Sequence, residues 1–161
     1  HRSLSPGPAR LALFLLCCMG TLLSSHIVLT HRLPPRDVRK IVLELQPLSK
    51  KLVQDYLNKE TGVQESSHYP LPCFTSDTQQ PHSINSSAIL PYFKAIRPLL
   101  NNTDISEIIQ QLDKLKFQHA PETKVSVPTD TFECKRFILT ILQQFSKCVE
   151  RTLKSMNSRA Q

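Results

Sequence analysis

The sequence has very little glycine, and this scarcity excludes several kinds of site. Only 3 of the 161 residues are glycine. The glycine-rich loops that hold dinucleotides or nucleotide phosphates, G-x-G-x-x-G and G-x-x-x-x-G-K-[ST], therefore cannot be formed. An all-β fold is also disfavoured, because such folds use glycine in their turns. The remaining composition, with 40% hydrophobic and 20% charged residues, is that of a chain that folds as about one domain.

Motifs of catalytic and metal sites are missing as well. The sequence contains no G-x-S-x-G, no H-E-x-x-H and no C-x-x-C. Its 6 histidines fall outside the periodic segments, and none has a second ligand at metal spacing. We therefore expect no catalytic residue, no metal and no cofactor.

Aromatic residues are scarce, which bears on the partners of a basic chain. They make up 6% of the sequence, tryptophan is absent, and the formal net charge is +7. Binding of nucleic acid by stacking needs more aromatic side chains than this. The basic residues are also dispersed among acidic ones. We expect no nucleic-acid partner and at most a weak contact with glycosaminoglycans.

One apolar run stands near the start of the sequence. Basic residues precede a 13-residue run, Leu11 to Leu23, and small polar residues follow it. This order is typical of a secretory signal peptide, whereas a membrane-spanning helix needs about 20 apolar residues. We predict a cleaved signal peptide at 1–25 and a secreted, extracellular domain at 26–161 without membrane insertion. Residue 1 is His rather than Met, so the start is either missing or mis-assigned.

Four stretches have apolar residues at helical spacing. The first opens with Asp37 as its predicted N-cap and has Gly62 at the C′ position. Pro47 should kink this helix or break it near Leu45 or Gln46. In the second, Pro98 should bend or end the helix. The first two apolar stripes consist of Val38, Ile41, Val42, Leu45, Leu48, Leu52 and Tyr56, and of Ile89, Phe93, Ile96 and Leu100.

The third and fourth stretches begin with similar signals. Thr103 or Asp104 is the predicted N-cap of the third helix, and Asp130 that of the fourth. Both Asp residues are followed by Glu at the third position after them. The stripes consist of Ile105, Ile108, Ile109, Leu112 and Leu115, and of Cys134, Phe137, Ile138, Ile141, Phe145, Cys148, Val149, Thr152 and Met156.

The lengths of the connections favour one topology. The third helix is about 22 Å long at ~1.5 Å per residue, and the connection at 119–129 can extend about 36 Å, enough to run back along it. The connection at 63–86 is longer, and only Asn101 and Asn102 separate the second and third helices. We predict an all-α, up-up-down-down four-helix bundle with two long crossover connections. An up-down-up-down bundle would tolerate these lengths without needing them.

Three cysteines remain after the signal peptide, and an oxidising compartment favours one disulfide. Cys134 and Cys148 lie 14 residues apart on one predicted helix, about 21 Å, which is too far for a bond. Cys73 must pair with one of them, and we favour Cys148, which lies deeper along the stripe. Cys134 is the alternative partner, and a bond between chains is a further one. Asn85 and Asn101 begin N-x-[ST] sequons and are candidate glycosylation sites.

Three segments carry a resemblance to a known family. The run from Leu112 to Cys148 resembles the interleukin-31 family, as do ELQPLSK at 44–50 and YPLPC at 69–73. The resemblance implies a monomeric four-helix cytokine of the interleukin-6 superfamily. It would bridge the interleukin-31 receptor A chain and the oncostatin M receptor and so activate JAK–STAT signalling in itch and type 2 inflammation.

The resemblance also implies two receptor-binding surfaces. Cytokines of the oncostatin M and leukemia inhibitory factor branch carry F-x-x-K at the start of the fourth helix, and here Phe132 and Lys135 occupy those positions. Phe132 lies off the apolar stripe, so we expect an exposed aromatic anchor on the oncostatin M receptor side. It could instead fold back on the helix start as a staple. On the receptor A side, the outer faces of the first and third helices present Leu43, Glu44, Glu107, Gln111 and Lys114.

Two other functional classes remain open from the residues alone. A helical carrier of a small apolar ligand would need a cavity between the stripes, whereas a cytokine would have a packed core with Phe132 and Lys135 exposed. A secreted hydrolase is a third class, and the sequence shows no site for it.

Overall fold

The computed structural model describes residues 33–77, 80–117, 120–121 and 123–159. The predicted signal peptide, 1–25, lies outside the described residues. The fold is mostly helical, as predicted, and it also contains one short antiparallel hairpin that the all-α prediction lacked. The elements in the described part of the chain are α1 (Pro35–Lys59), β1 (Thr75–Asp77), β2 (Gln80–Asn85), α2 (Leu90–Ile96), a 3₁₀ turn (Arg97–Leu99), α3 (Thr103–Lys114) and α4 (Thr131–Arg159).

The hairpin lies in the long connection between α1 and α2. Thr75 pairs with Asn85 and Ser76 with Ile84, and the register shifts before Asp77 pairs with Gln80. These strands are short and mostly polar, so they lack the alternating apolar pattern by which a strand is predicted. Ile84 packs against the edge of the core.

α1 is a single helix that passes through Pro47. Of the two alternatives for Pro47, a kink or a break near Leu45 or Gln46, the break is therefore wrong. Pro47 lies on the exposed face, while the apolar stripe before and after it is buried. A proline inside a helix costs about 3 kcal/mol. Burial of the stripe on both sides offsets this cost, since each large apolar side chain contributes about 1.5–3 kcal/mol. The buried apolar residues of α1 are Val38, Ile41, Val42, Leu45, Leu52 and Tyr56.

Contacts between their ends show the relative direction of α1 and α4. Arg39 near the start of α1 donates to Asn157 near the end of α4, at 2.9 Å. The Tyr56 hydroxyl near the end of α1 donates to the Lys135 carbonyl near the start of α4, at 3.3 Å. α1 and α4 are therefore antiparallel. Burial raises the pKa of Tyr56 to about 12, so this donor keeps its proton at neutral pH.

α2 and α3 are joined by the 3₁₀ turn and the three residues 100–102. The 3₁₀ turn ends the second helical stretch at Pro98, as predicted. Before α2, the Ser86 amide donates to the Leu115 carbonyl at 3.1 Å, and the Ser86 hydroxyl donates to the Leu112 carbonyl. The start of α2 is thus held against the end of α3. In the core, the rings of Phe93 and Phe145 pack edge to face with centroids 4.6 Å apart.

Two of the three predicted N-caps are wrong by one to three residues. α1 begins at Pro35 after Pro34 and has no side-chain cap, so Asp37 lies in the first turn. α3 is capped by Asn102, whose Oδ1 accepts from the Asp104 amide at 2.8 Å. Several adjacent residues at each start can cap a helix, and tertiary packing selects among them. Gly62 has a φ of 81°, the left-handed conformation expected after a helix, but it lies two residues after the cap Glu60 rather than at C′.

Cys73 and Cys148 form a disulfide, with Cα atoms 5.5 Å apart, and Cys134 is a free, half-buried thiol. This is the pair that the sequence favoured. The bond ties the α1–α2 connection to the buried face of α4, where Cys148 is 1% exposed. The same connection also reaches α4 through the Leu71 amide, which donates to Gln144 at 2.6 Å, and through the Ser66 amide, which donates to Thr140 at 2.9 Å.

Candidate functional site

The start of α4 presents the aromatic side chain that the sequence singled out. Asp130 caps the helix, as predicted, because its carboxylate accepts from the Glu133 amide at 2.9 Å. Phe132 in the first turn is 54% exposed. A staple would bury this ring against the helix, so the exposed conformation favours the anchor interpretation over the staple.

Polar contacts position the first turn of α4 around Phe132. The Tyr69 hydroxyl donates to Glu133 at 2.7 Å, and the Tyr69 ring packs edge to face on Phe137 with centroids 5.3 Å apart. Arg136 forms an ion pair with Glu133 at 3.0 Å. The Arg136 guanidinium also lies 5.9 Å from the centre of the Phe132 ring, within the range of a cation–π contact. The α1–α2 connection therefore supports the anchor through Glu133 and Arg136.

The protonation of Glu133 follows from these contacts. Its pKa is lowered, first because the Tyr69 hydroxyl donates to the carboxylate and second because Arg136 does so too. The bond to Glu133 raises the pKa of Tyr69. A lowered carboxyl pKa means that the charged, bonded form is present above the ordinary glutamate pKa and is lost only as the pH falls through the lowered value. At neutral pH the three side chains therefore keep this arrangement.

Lys135 forms an ion pair with a residue that follows α1. Its ammonium group forms an ion pair with Glu60 at 2.8 Å, at the end of α1, and its side chain is 39% exposed. The cation over the Phe132 ring is Arg136, which the F-x-x-K pattern does not include. Lys135 therefore links α4 to α1 beside the anchor and retains part of its surface for contact.

The predicted receptor A residues lie along neighbouring helices. α1 and α3 are joined by an ion pair of 3.0 Å between Lys51 and Asp104, and this carboxylate raises the pKa of Lys51. Seven residues before Lys51 on α1 is Glu44, and seven residues after Asp104 on α3 is Gln111. Leu43, Glu44, Glu107 and Lys114 are exposed, and Gln111 is half-buried and accepts from Lys114 at 3.3 Å.

The two candidate glycosylation sites differ in their surroundings. Asn85 is half-buried, and its side-chain oxygen accepts from both the amide and the hydroxyl of Ser87, at 2.9 and 2.7 Å. Asn101 is exposed in the turn between α2 and α3. Asn101 is thus the more accessible of the two.

Cavities at the surface of the bundle include two that are lined by described residues. One, of about 370 Å³, lies where Tyr56 and Lys59 of α1 approach Leu100, Cys134 and Lys135. The other, of about 300 Å³, lies beside Phe117, with Lys94 and Lys116 in its wall. A carrier of an apolar ligand would need an apolar cavity between the stripes, and these two cavities, with lysine in their walls, do not meet that requirement.

Metal clusters and membrane-spanning helices are both absent from the part of the chain that the structure describes. In those residues no group of three His, Cys, Asp or Glu side chains is arranged to hold a metal ion. No helix among them is long and apolar enough to cross a bilayer.

Sequence reasoning missed three residues of the α4 site, namely Tyr69, Arg136 and Glu60. Tyr69 and Glu133 are 64 positions apart in the chain, so no local pattern connects them. Arg136 follows Phe132 by four residues, and this spacing places both side chains on one face of the helix. The spacing could therefore have predicted Arg136 as a neighbour of Phe132.

Substitution of Asp130 tests how much the N-cap of α4 contributes to stability. We expect Asp130→Ala to lower the free energy of unfolding by about 1 kcal/mol, because the Glu133 amide loses its acceptor. Urea unfolding followed by circular dichroism measures this change. Asp130→Asn is the matched control and should stay within about 0.5 kcal/mol of the parent, since asparagine caps equally well. If both variants lose the same free energy of unfolding, the negative charge of Asp130 stabilises the helix and its hydrogen bond to the Glu133 amide does not.

Known proteins resemble this chain over nearly its whole length. The family described as Interleukin 31 matches residues 25–155. Human interleukin-31 is 56% identical over 156 residues, covering 96% of this chain and 94% of the human protein. Mouse interleukin-31 is 31% identical over 149 residues, covering 89% of this chain and 90% of the mouse protein. No solved structure matches.

Proposed function

This chain belongs to the interleukin-31 family of cytokines, and we propose that it bridges the interleukin-31 receptor A chain and the oncostatin M receptor. Bridging would bring the two receptors together and activate JAK–STAT signalling in itch and type 2 inflammation. The chain acts as a monomer, by binding rather than by catalysis. The observation that carries this proposal is the exposed Phe132, held at the start of α4 in a chain of this family.

We propose that residues 1–25 are a signal peptide and that 26–161 form the secreted protein. The basic start and the apolar run from Leu11 to Leu23 support this assignment. Secretion is in keeping with the cytokine family and with the disulfide between Cys73 and Cys148. Glycans would be attached at Asn101 and Asn85, with Asn101 the more accessible.

We propose an up-up-down-down arrangement with crossover connections at 63–86 and 119–129. The antiparallel contact of α1 with α4 supports it. One cavity is lined both by Tyr56 and Lys59 at the end of α1 and by Leu99 and Leu100 after α2, which supports a common direction for α1 and α2. The tight turn then reverses α3, and Lys51 meets Asp104 where a descending α3 would begin.

We propose that the oncostatin M receptor contacts the start of α4. A partly exposed aromatic ring next to cations is a frequent centre of binding energy in interfaces. Phe132 supplies the ring, Arg136 lies against it, and Lys135 adds a second cation beside the end of α1. Since Tyr69 and Glu133 already order these side chains, little conformational entropy is lost on binding.

We propose that the receptor A chain contacts the outer faces of α1 and α3, through Leu43, Glu44, Glu107, Gln111 and Lys114. The ion pair between Lys51 and Asp104 supports this surface, because it holds the two helices side by side. Leu43 is 45% exposed, so it presents an apolar side chain among polar ones.

Binding to immobilised receptor ectodomains tests the proposed function. The mature chain should bind the receptor A ectodomain and then recruit the oncostatin M receptor ectodomain to the complex. Calorimetry in solution gives the stoichiometry, which should be one chain to one copy of each receptor. If the chain binds neither ectodomain, the proposed function is wrong.

A pair of matched variants on α3 tests the receptor A surface. We expect Glu107→Ala with Gln111→Ala to weaken receptor A binding about tenfold, or about 1.4 kcal/mol. The control is Gln110→Ala with Asp113→Ala, which likewise removes one carboxylate and one carboxamide, from exposed positions that lie off this line of the helix. Surface plasmon resonance with immobilised receptor A measures both. Equal weakening by the two variants would exclude this surface.

A further inference from the structure

All acidic side chains of α1 lie on one side of the helix, and several of its basic side chains lie on another. The acidic residues Asp37, Glu44 and Asp55 recur at steps of seven and eleven, which places them along one line of the helix. This line lies on the side of Lys51, whose ammonium group reaches α3. The basic residues Arg36, Arg39 and Lys50 recur at steps of three and eleven and follow a different line. Arg39 shows where that line faces, because it donates to Asn157 of α4.

A second basic line follows α4. Lys147, Arg151 and Lys154 recur at steps of four and three, and Asn157 continues the line three residues later. Because α1 and α4 are antiparallel and meet at Arg39 and Asn157, the two lines run side by side. Ten residues back from Asn157 is Lys147, and eleven residues beyond Arg39 is Lys50, so these two lysines lie at about the same level.

The two lines form one surface, called here the basic face: Arg36, Arg39, Lys50, Lys147, Arg151 and Lys154. All six side chains are exposed. Lys147 pairs with Glu65 at 3.3 Å and Lys154 with Glu150 at 3.7 Å. Within the described part of the chain, the other four have no acidic partner, and the partner of Arg39 is a neutral amide. The face therefore carries an excess of positive charge along about 21 Å of helix at ~1.5 Å per residue.

We propose that the basic face binds a sulfated glycosaminoglycan chain. An extended polyanion matches two parallel lines of cations, and the arginine fork suits oxyanions such as sulfate. Other polyanions fit less well. Of the described large apolar side chains that are exposed, only Leu43, which is also a proposed receptor A residue, lies on this face, and one such residue is too little for insertion into a membrane surface. The six members include no aromatic residue on which a nucleic-acid base could stack.

This inference goes beyond the proposed receptor function. Sequence reasoning expected at most a weak glycosaminoglycan contact, because basic and acidic residues alternate along the chain. Folding separates them, since the helical repeat places Arg36 and Arg39 away from Asp37, and α4 brings three more cations alongside. A bound polysaccharide would hold the cytokine at cell surfaces and in the matrix.

Heparin affinity tests the proposal without any receptor. The mature chain is applied to immobilised heparin, and its affinity for a heparin octasaccharide is measured by calorimetry. The test variant is Lys50→Ser, Arg151→Ser, Lys154→Ser. The control is Lys94→Ser, Arg97→Ser, Lys124→Ser, which removes the same charges from exposed positions elsewhere. Circular dichroism verifies that both variants fold.

We expect the test variant to bind heparin about tenfold more weakly at ~0.15 M salt, with the control within about twofold of the parent. Elution of the parent chain below physiological salt would overturn the proposal. So would equal weakening by both variants, because binding would then follow net charge alone. Binding to vesicles with anionic lipid that the octasaccharide fails to displace would assign the face to a membrane. None of these outcomes depends on receptor binding.

Discussion

Phe132→Ala should abolish most recruitment of the oncostatin M receptor while leaving the receptor A contact intact. We expect a loss of about 2–3 kcal/mol, or roughly 30- to 150-fold in affinity, typical of an aromatic side chain at the centre of an interface. The ring is 54% exposed in the free protein, so its removal leaves no cavity in the core. The experiment captures the chain on immobilised receptor A and titrates the oncostatin M receptor ectodomain.

The chain offers a matched control for this experiment. Phe117 is 46% exposed and follows α3, away from the start of α4. Phe117→Ala removes the same group at similar exposure, so it should leave recruitment within about twofold of the parent. If both variants weaken recruitment equally, or if Phe132→Ala has no effect, the oncostatin M receptor does not use this anchor.

The long helices were the most predictable part of the fold. α3 and α4 have uninterrupted apolar stripes, and their predicted members are largely buried because a stripe that wide must face a core. Helix starts were less predictable. Asn102 was passed over as the cap of α3 because Thr103 and Asp104 are equally good caps. A break at Pro47 stayed open because the burial of the apolar stripe before and after it, which keeps α1 in one piece, is a tertiary effect.

The site was predictable only where it is local. The position of Phe132 off the stripe predicted an exposed ring, and the ring is exposed. The contacts of Lys135 with Glu60 and of Glu133 with Tyr69 join distant parts of the chain. Periodicity within one helix carries no information on such pairs. The dispersal of basic residues among acidic ones was misleading for a different reason. The linear order hides the separation of charges that the helical repeat creates on α1, and only the contact with α4 adds the second basic line.

Removal of the disulfide should have the largest effect on stability. Cys73 and Cys148 are separated by 75 residues, and closing a loop of that size stabilises the fold by about 4–5 kcal/mol in the chain-entropy model. We expect Cys73→Ala with Cys148→Ala to lower the free energy of unfolding by about 4 kcal/mol. Alanine is chosen because serine would place a hydroxyl at the 1% exposed Cys148 position. Urea unfolding and calorimetry measure the loss.

Cys134→Ala is the control, because it removes a thiol that the structure leaves free. Cys134 is half-buried, so we expect its loss to cost less than about 1.5 kcal/mol. The single variant Cys148→Ala tests whether Cys73 can form a different disulfide. Cys73 and Cys134 both remain in this variant, and they can bond only if α4 moves. The single variant should be as unstable as the double variant. If instead it keeps the stability of the parent and forms a bond from Cys73 to Cys134, then the connection at 63–86 is not fixed to α4 at Cys148, and the support that Tyr69 provides to Phe132 would fail with it.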